Sequence, residues 1–268
     1  MAEFDSSDSA SMRNPSPAVL TERRGQTLLI TLNRPDARNA VNAALAAGVA
    51  AALDELDGDA ELRVGVLTGA GSGFSAGMDL KAFMRGESAW VDGRGFAGIV
   101  QSPPRKPLIA AIEGFAVAGG LEVALACDLI VASKGAKLGI PEVKRSLVAA
   151  GGALLRLPGR IGSGLAMELA LTGETINAER GAEIGLVNRL AEPGAAVATA
   201  LELAEAIAVN APLALEATKR VLNESVDWPW SEAWERQGEV AGPVFTSEDA
   251  REGATAFAEK RDPVWKGK

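Results

Sequence analysis

Short, unbroken apolar runs set the tightest limit on what this chain can fold into. Residues 26–35 (QTLLITLNRP), 63–69 (RVGVLTG), 106–114 (KPLIAAIEG) and 128–133 (DLIVAS) each hold β-branched and aliphatic residues with little polar alternation. Such runs read as strands, and those at 63–69 and 106–114 as buried ones. Helical spacing lies between them. Residues 42–56 are alanine-rich and close on DGD, and residues 120–127 fit two turns of helix. Residues 70–80 (AGSGFSAGMDL) form a glycine-rich loop that enters a helix, and residues 86–95 carry only a weak pattern. From Gly164 onward helical patterns dominate, above all at 195–209 and 212–224. No strict repeat is present. The strand–loop–helix rhythm predicts an α/β core, and the last third a helical appendage.

The residues that are missing narrow the chemistry. The 268 residues include no histidine and no tyrosine. Serine–histidine and cysteine–histidine catalysis, histidine-containing zinc sites and a phenol acid are therefore excluded. The one cysteine, Cys127, excludes intramolecular disulfides and cysteine-rich metal clusters, and its apolar surroundings predict an inert core thiol. Carboxylates, backbone amides, Ser/Thr, Lys and Arg remain. A net charge of −8 argues against a broad basic face for nucleic acid. The apolar runs are too short to span a bilayer. Residues 1–17 are Ser- and Asp-rich without a basic apolar leader, which predicts a disordered tail on a cytoplasmic protein.

Against that background residues 114–128 (GFAVAGGLEVALACD) pose a problem, because Glu122 places a carboxylate in a core-like segment. A buried, unpaired carboxylate is costly, so it has either a partner or a chemical role. A second carboxylate, Glu142, follows Pro141 beyond the 128–133 strand. A helix–strand–loop return can bring the two together, and an apolar pocket can hold them in different protonation states. Each taken alone also fits a solvated or ion-paired residue. The glycine loops at 71–77 and 119–120 can present backbone N–H groups to one oxygen, or can simply permit close packing. Two motifs are decoys. GFSAG, residues 73–77, matches a nucleophile elbow but has no histidine base. GSGFSA, residues 71–76, matches a loose dinucleotide fingerprint without a clean helix after it or a second Rossmann half.

Four segments, GSGFSAGMDL, GFAVAGGLEVALACDLIVAS, AKLGIPEVKRSLVAAGG and LALTGETINAERGAEIGLVNRL, together resemble the enoyl-CoA hydratase/isomerase, or crotonase, family. The resemblance runs from about Val19 to the C-terminus, and the segment SEDAREGATAFAEKRDPVWKGK is most similar to the carnitinyl-CoA dehydratase-like branch. It implies a crotonase (ClpP-like) spiral of ββα units over residues 18–205. A C-terminal helical trimerisation region over 206–268 would follow, assembled as a homotrimer or homohexamer. It implies an acyl-CoA thioester substrate, no metal, no further cofactor, no nucleic-acid partner and no membrane, with a place in fatty-acid β-oxidation. It assigns the oxyanion-hole N–H donors to Met78 and Gly119. Glu122 would help activate water, and Glu142 would handle the proton at C2. Ala37, Arg38 and Ala40 match the loop that meets the adenine and phosphate end of CoA. Ala76, Gly77, Asp79, Leu80, Gly120 and Pro141 flank the hole and the acyl channel, and Lys260 matches a lysine that reaches CoA phosphates.

The chain departs from the family at Ala118, where a third glycine is common, and in LVAAGG, residues 147–152, which lacks a common proline. That segment shapes the acyl pocket. Keeping both glutamates favours hydration or dehydration. A general enoyl-CoA hydratase, a dehydratase of a substituted acyl-CoA such as carnitinyl-CoA, an isomerase, and a non-catalytic CoA-binding protein of the same fold all stay open from the sequence.

Overall fold

The computed structural model describes residues 16–268, so the expected tail over residues 1–17 lies almost wholly outside the described residues. The first half of the chain runs β1 (Val19–Arg24), β2 (Thr27–Leu32), α1 (Ala43–Gly58), β3 (Val64–Gly69), α2 (Leu80–Met84), β4 (Trp90–Val91), β5 (Gly95–Phe96), β6 (Leu108–Ile112), β7 (Phe115–Val117), α3 (Gly119–Leu125), β8 (Leu129–Ser133) and β9 (Lys137–Gly139). There follow α4 (Ala153–Ile161), α5 (Ser163–Thr172), β10 (Thr175–Asn177), α6 (Ala178–Glu183), β11 (Arg189–Ala191), α7 (Ala196–Ala208), α8 (Pro212–Glu224), α9 (Trp230–Phe245) and α10 (Glu248–Glu259).

Six strands form the main sheet in the order β1-β2-β3-β6-β8-β11. The β1–β2 hairpin is antiparallel, and every later pairing is parallel. Successive side chains of a strand point to opposite faces, and both faces here are covered. Leu28, Ile30, Leu67, Leu108, Ala110 and Ile112 enter the larger core. Leu29, Val64, Val66, Ile109, Ala111 and Val131 face the other way, onto Ala196, Ala200, Ala204 and Ala208 of α7. The four-residue alanine spacing gives α7 one small-residue stripe, which lets it lie close on the sheet. Two buried faces explain the unbroken apolar runs.

A second layer positions the chemistry. β7, β9 and β10 form a small sheet in the order β10-β9-β7. Two single bridges, Ser75 to Ala116 and Val41 to Met78, extend the pairing to the segments after β3 and β2. The middle strands of the main sheet are thus each followed by a second extended strip and then a helix or helical turn. β3 leads to residues 74–78 and α2, β6 to β7 and α3, and β8 to β9 and a 3-10 turn at Pro141–Arg145. This is the ββα spiral that the resemblance implied.

The four expected strands and the helices at 42–56 and 120–127 are present with small shifts at their ends. Asn42 caps α1 by accepting the Leu45 N–H at 3.1 Å. Elements also occur where no pattern pointed to them: β1, the short second-layer strands, and α4 before Gly164. The expected division at residues 205/206 falls inside α7, which packs on the main sheet. Only from α8 onward do the helices leave it: α8 and α9 contain no fully buried residue. Among the described residues no single helix is long and apolar enough to cross a membrane.

Candidate active site

Met78, Gly119 and Glu142 occupy the same place in three successive turns of the spiral, where the second strip gives way to a helix. Met78 ends the 74–78 strip two residues before α2, Gly119 opens α3, and Glu142 is in the 3-10 turn after β9. The spiral stacks these junctions, so residues far apart in sequence meet at one edge. Val41 donates to the Gly77 carbonyl at 2.7 Å and accepts from the Asp79 N–H at 2.9 Å. That pairing leaves the Met78 N–H pointing away from Val41. Neither the Met78 N–H nor the Gly119 N–H donates to any acceptor among the described residues.

The two donors lie side by side. A Cβ built on Gly77 would stand 2.7 Å from the Gly119 nitrogen, and one on Gly119 would stand 3.3 Å from the Gly77 Cα. The Gly119 Cβ would also meet the Phe96 ring at 2.7 Å, so only glycine lets the two strands approach. Ala118 precedes Gly119 with φ 52° and ψ −132°, a backbone state that non-glycine residues rarely adopt. Its N–H donates to the Gly139 carbonyl at 2.9 Å, which fixes the turn that presents Gly119. Strain of this kind costs on the order of 1–3 kcal/mol and persists only where the surroundings enforce it.

Two carboxylates stand by this pair. Glu122, one turn into α3, is 4% exposed, and its Oε1 accepts the Ala153 N–H at 3.2 Å. Burial pushes its pKa up to about 7. The Ala153 N–H opposes that rise, the charge of Glu142 adds to it, and the Gly151 N–H and Arg156 oppose it. Burial likewise raises the Glu142 carboxyl above its ordinary value, against the pull of its own backbone N–H and of Arg145. Glu142 Oε2 is buried without a hydrogen-bond partner among the described residues. Leaving such an atom unpaired costs about 1–3 kcal/mol or more, and buried exceptions of this kind mark reactive groups. A carboxyl poised near neutrality beside a second one with a raised pKa can divide the work of base and acid.

The remaining expected residues are distributed unevenly. Ala37, Arg38 and Ala40 lie in the turn after β2, which is stitched to the hole strip by the Ala76 N–H donating to the Arg38 carbonyl at 3.0 Å. Arg38 is exposed, with φ 52°. Ala76 and Gly77 lie within the 74–78 strip, Leu80 follows it, Gly120 is buried under it, and Pro141 opens the turn that carries Glu142. Asp79 braces the start of α2. Its Oδ1 accepts the Ala82 N–H there, and its Oδ2 meets Arg34 at 2.9 Å. Burial works against its charge, yet those partners hold its carboxyl below the ordinary value. Lys260 is exposed at the C-cap of α10, and no hydrogen bond among the described residues ties it to the site.

Both decoys resolve. Ser75 is fully buried, with its hydroxyl bonded at 2.8 Å to the Asn39 carbonyl, and is no exposed nucleophile. Residues 74–78 run as a strip, where a dinucleotide fingerprint needs a helix. Three residues that the sequence did not flag also serve the site. Arg34 pairs with Asp79 and donates to the Ala40 carbonyl. Asn39 is buried, and its Nδ2 donates to the Ala70 and Gly73 carbonyls at 2.8 and 2.9 Å. Arg156 donates to the Val100 carbonyl at 2.6 Å and folds its guanidinium back over Gly152. Among the described residues no group of three or more Asp, Glu or Cys side chains is placed to hold a metal ion.

The comparisons with known proteins agree with this fold. The family model described as enoyl-CoA hydratase/isomerase matches residues 22–268. Enoyl-CoA hydratase EchA19 of Mycobacterium tuberculosis is 43% identical over 92% of this chain and 96% of its own. The carnitinyl-CoA dehydratase of Salmonella enteritidis is 41% identical over 94% of this chain and 100% of its own. A crystal structure of an enoyl-CoA hydratase from M. tuberculosis superimposes with a TM-score of 0.93 at 59% identity, covering 94% of this chain and all of that one. The chain therefore belongs to the enoyl-CoA hydratase/isomerase, or crotonase, family and is an enzyme of the enoyl-CoA hydratase type.

Proposed function

We propose that the enzyme adds water, reversibly, across the 2,3 double bond of a trans-2-enoyl-CoA, with Glu122 and Glu142 as its acid–base pair. The observation that carries this reading is the pairing of a buried and a half-buried carboxylate, both of raised pKa, with two backbone donors that have no acceptor among the described residues. The thioester oxygen lies between the Met78 and Gly119 N–H groups. One water is held by both glutamates. Glu122 takes a proton from it as its oxygen adds at C3, and Glu142 delivers a proton to C2. Negative charge builds on the thioester oxygen between these steps, and the two amides stabilise it. Loss of one such donor costs on the order of 3 kcal/mol in a site of this type. The Ala37–Ala40 turn, with Arg38 exposed, is assigned to the CoA nucleotide. Lys260 is assigned to CoA phosphates from a neighbouring subunit, because its own chain does not bring it to the site. No metal or further cofactor enters the mechanism. A trimer or hexamer is supported by the aromatic surface left open on α9 and α10. Use of a CoA thioester goes with a cytoplasmic setting and with β-oxidation.

The deciding experiment measures hydration of crotonyl-CoA by E122Q and E142Q. Each is expected to lose at least 10²-fold in kcat while CoA binding is retained. Full hydratase activity in E122Q would sink the two-glutamate mechanism and leave an isomerase. A second reading, dehydration of a substituted acyl-CoA such as carnitinyl-CoA, is favoured by the 41% identity to the Salmonella dehydratase. Turnover of crotonobetainyl-CoA in preference to crotonyl-CoA would establish it.

A further inference from the structure

The buried hydroxyl of Ser75 touches both the 74–78 strip and the turn assigned to CoA. Its Oγ donates to the Asn39 carbonyl at 2.8 Å and accepts the Gly77 N–H at 3.1 Å. The Gly77 N–H belongs to the peptide before the one that bears the Met78 N–H; Val41 holds that next peptide through the Gly77 carbonyl at 2.7 Å, so Ser75 and Val41 together fix Gly77 on both sides. The Ser75 main chain works in the other direction. Its carbonyl accepts the Val117 N–H at 3.1 Å, two residues before Gly119. A Cβ on Gly120 would fall 2.1 Å from the same carbonyl oxygen, so α3 begins directly against Ser75. Asn39 is itself fully buried and anchored to Ala70 and Gly73, so the acceptor that fixes the hydroxyl is rigid.

We infer that Ser75 is a positioning residue for the oxyanion hole: its side chain anchors the N–H side of Gly77, whose carbonyl side Val41 holds, while its main chain sets the strand that presents Gly119. The GFSAG motif then has a use unrelated to a nucleophile elbow. The serine locks two amides that arrive from different turns of the spiral into one register. This rests on the assignment of Met78 and Gly119 as the donors to the thioester oxygen. Ser75 does not touch substrate. Its loss is felt where negative charge develops, and little in the binding of CoA.

The test compares the wild type with S75A, and with S133A as a control that removes another buried serine hydroxyl far along the chain. Two quantities are read. The first is kcat and KM for crotonyl-CoA hydration. The second is the ratio of affinities for a β-ketoacyl-CoA, whose enolate, formed by loss of the C2 proton, carries part of its negative charge on the thioester oxygen, and for the saturated acyl-CoA of equal length. In S75A, kcat and the affinity ratio should both fall about tenfold, with KM and saturated acyl-CoA binding nearly unchanged. S133A should leave the ratio at its wild-type value. A purely structural role would lower the melting temperature of S75A and spare the ratio, and that result overturns the inference. If the wild type itself binds the β-ketoacyl-CoA no better than the saturated thioester, the oxyanion-hole assignment fails, which is a separate outcome.

Discussion

Glu122, one of the proposed acid–base pair, carries a cost in stability near neutral pH. Its carboxyl is buried in α3, and its proton affinity rises from the ordinary 4.5 to about 7, first because of burial. An acid whose pKa rises on folding takes up a proton as the chain folds. The favourable contribution is complete below the unfolded value of 4.5 and is lost as pH climbs through 7. At one unit per 1.36 kcal/mol, the full swing is about 3 kcal/mol. E122Q keeps the shape and cannot ionise. It should unfold at nearly the wild-type temperature at about pH 4.5 and measurably higher than the wild type at about pH 8, while being nearly inactive. Thermal unfolding at the two pH values checks this. A Gln variant with the same offset at both would show that Glu122 is not held above its ordinary pKa. The bare sequence identified Glu122 because a carboxylate in an apolar run is conspicuous. It could not identify the partners that tune it, because the closest are backbone N–H groups of Gly151 and Ala153, which every sequence supplies.

At the scale of elements, the turn that opens α4 does for Glu122 what the hole strip does for the amides. Gly151 allows the carboxylate to lie on its backbone: a Cβ there would stand 2.5 Å from Glu122 Oε2 and 2.8 Å from Cδ. Arg156, one turn on, plates Gly152 and fastens the turn to the Val100 carbonyl. G151A should therefore displace the carboxylate and lower kcat on the order of 10²-fold, with KM for crotonyl-CoA changed much less. Steady-state kinetics decide it, and an unchanged kcat would mean that the turn does not locate Glu122. Elements were legible in the sequence in proportion to their burial. β2, β3, β6 and β8 stood out because both faces are covered. β1 did not, since five of its six residues are exposed. The three-residue strands β7, β9 and β10 are too short for any period to register. α4 carries Pro158 in its interior and follows two glycines, features that ordinarily argue against a helix. Arg156 left no sequence signal, because it acts on a carbonyl and a glycine backbone.

At the scale of the whole molecule, the unsatisfied surface lies at the C-terminal end. α8 and α9 bury no residue completely, and Trp230, Trp234, Phe245 and Phe257 are 78%, 69%, 80% and 87% exposed. Trp230 and Trp234 stack edge-on at 6.1 Å, so they present one aromatic patch. A large apolar side chain left in water forgoes on the order of 3 kcal/mol, and contiguous patches of this kind mark contact surfaces. The C-terminal segment beyond these helices is tied back to the chain. Asp249 accepts the Lys266 and Gly267 N–H groups at 2.7 and 2.9 Å, and the Trp265 indole donates to the Val209 carbonyl at 2.8 Å. α10, which carries Phe257, is thereby anchored through its first turn, while the aromatic face of α9 and α10 stays open. Light scattering on the wild type should return three or six times the 27.6 kDa of one chain. Placing charge on the patch with W230E/W234E should shift the mass toward a single chain. If Lys260 serves a neighbouring subunit's CoA, the dissociated variant should also lose affinity for acyl-CoA while its hole and glutamates stay intact. A wild type that runs at 27.6 kDa would refute the assembly, and a dissociated variant with full acyl-CoA affinity would confine the CoA site to one chain.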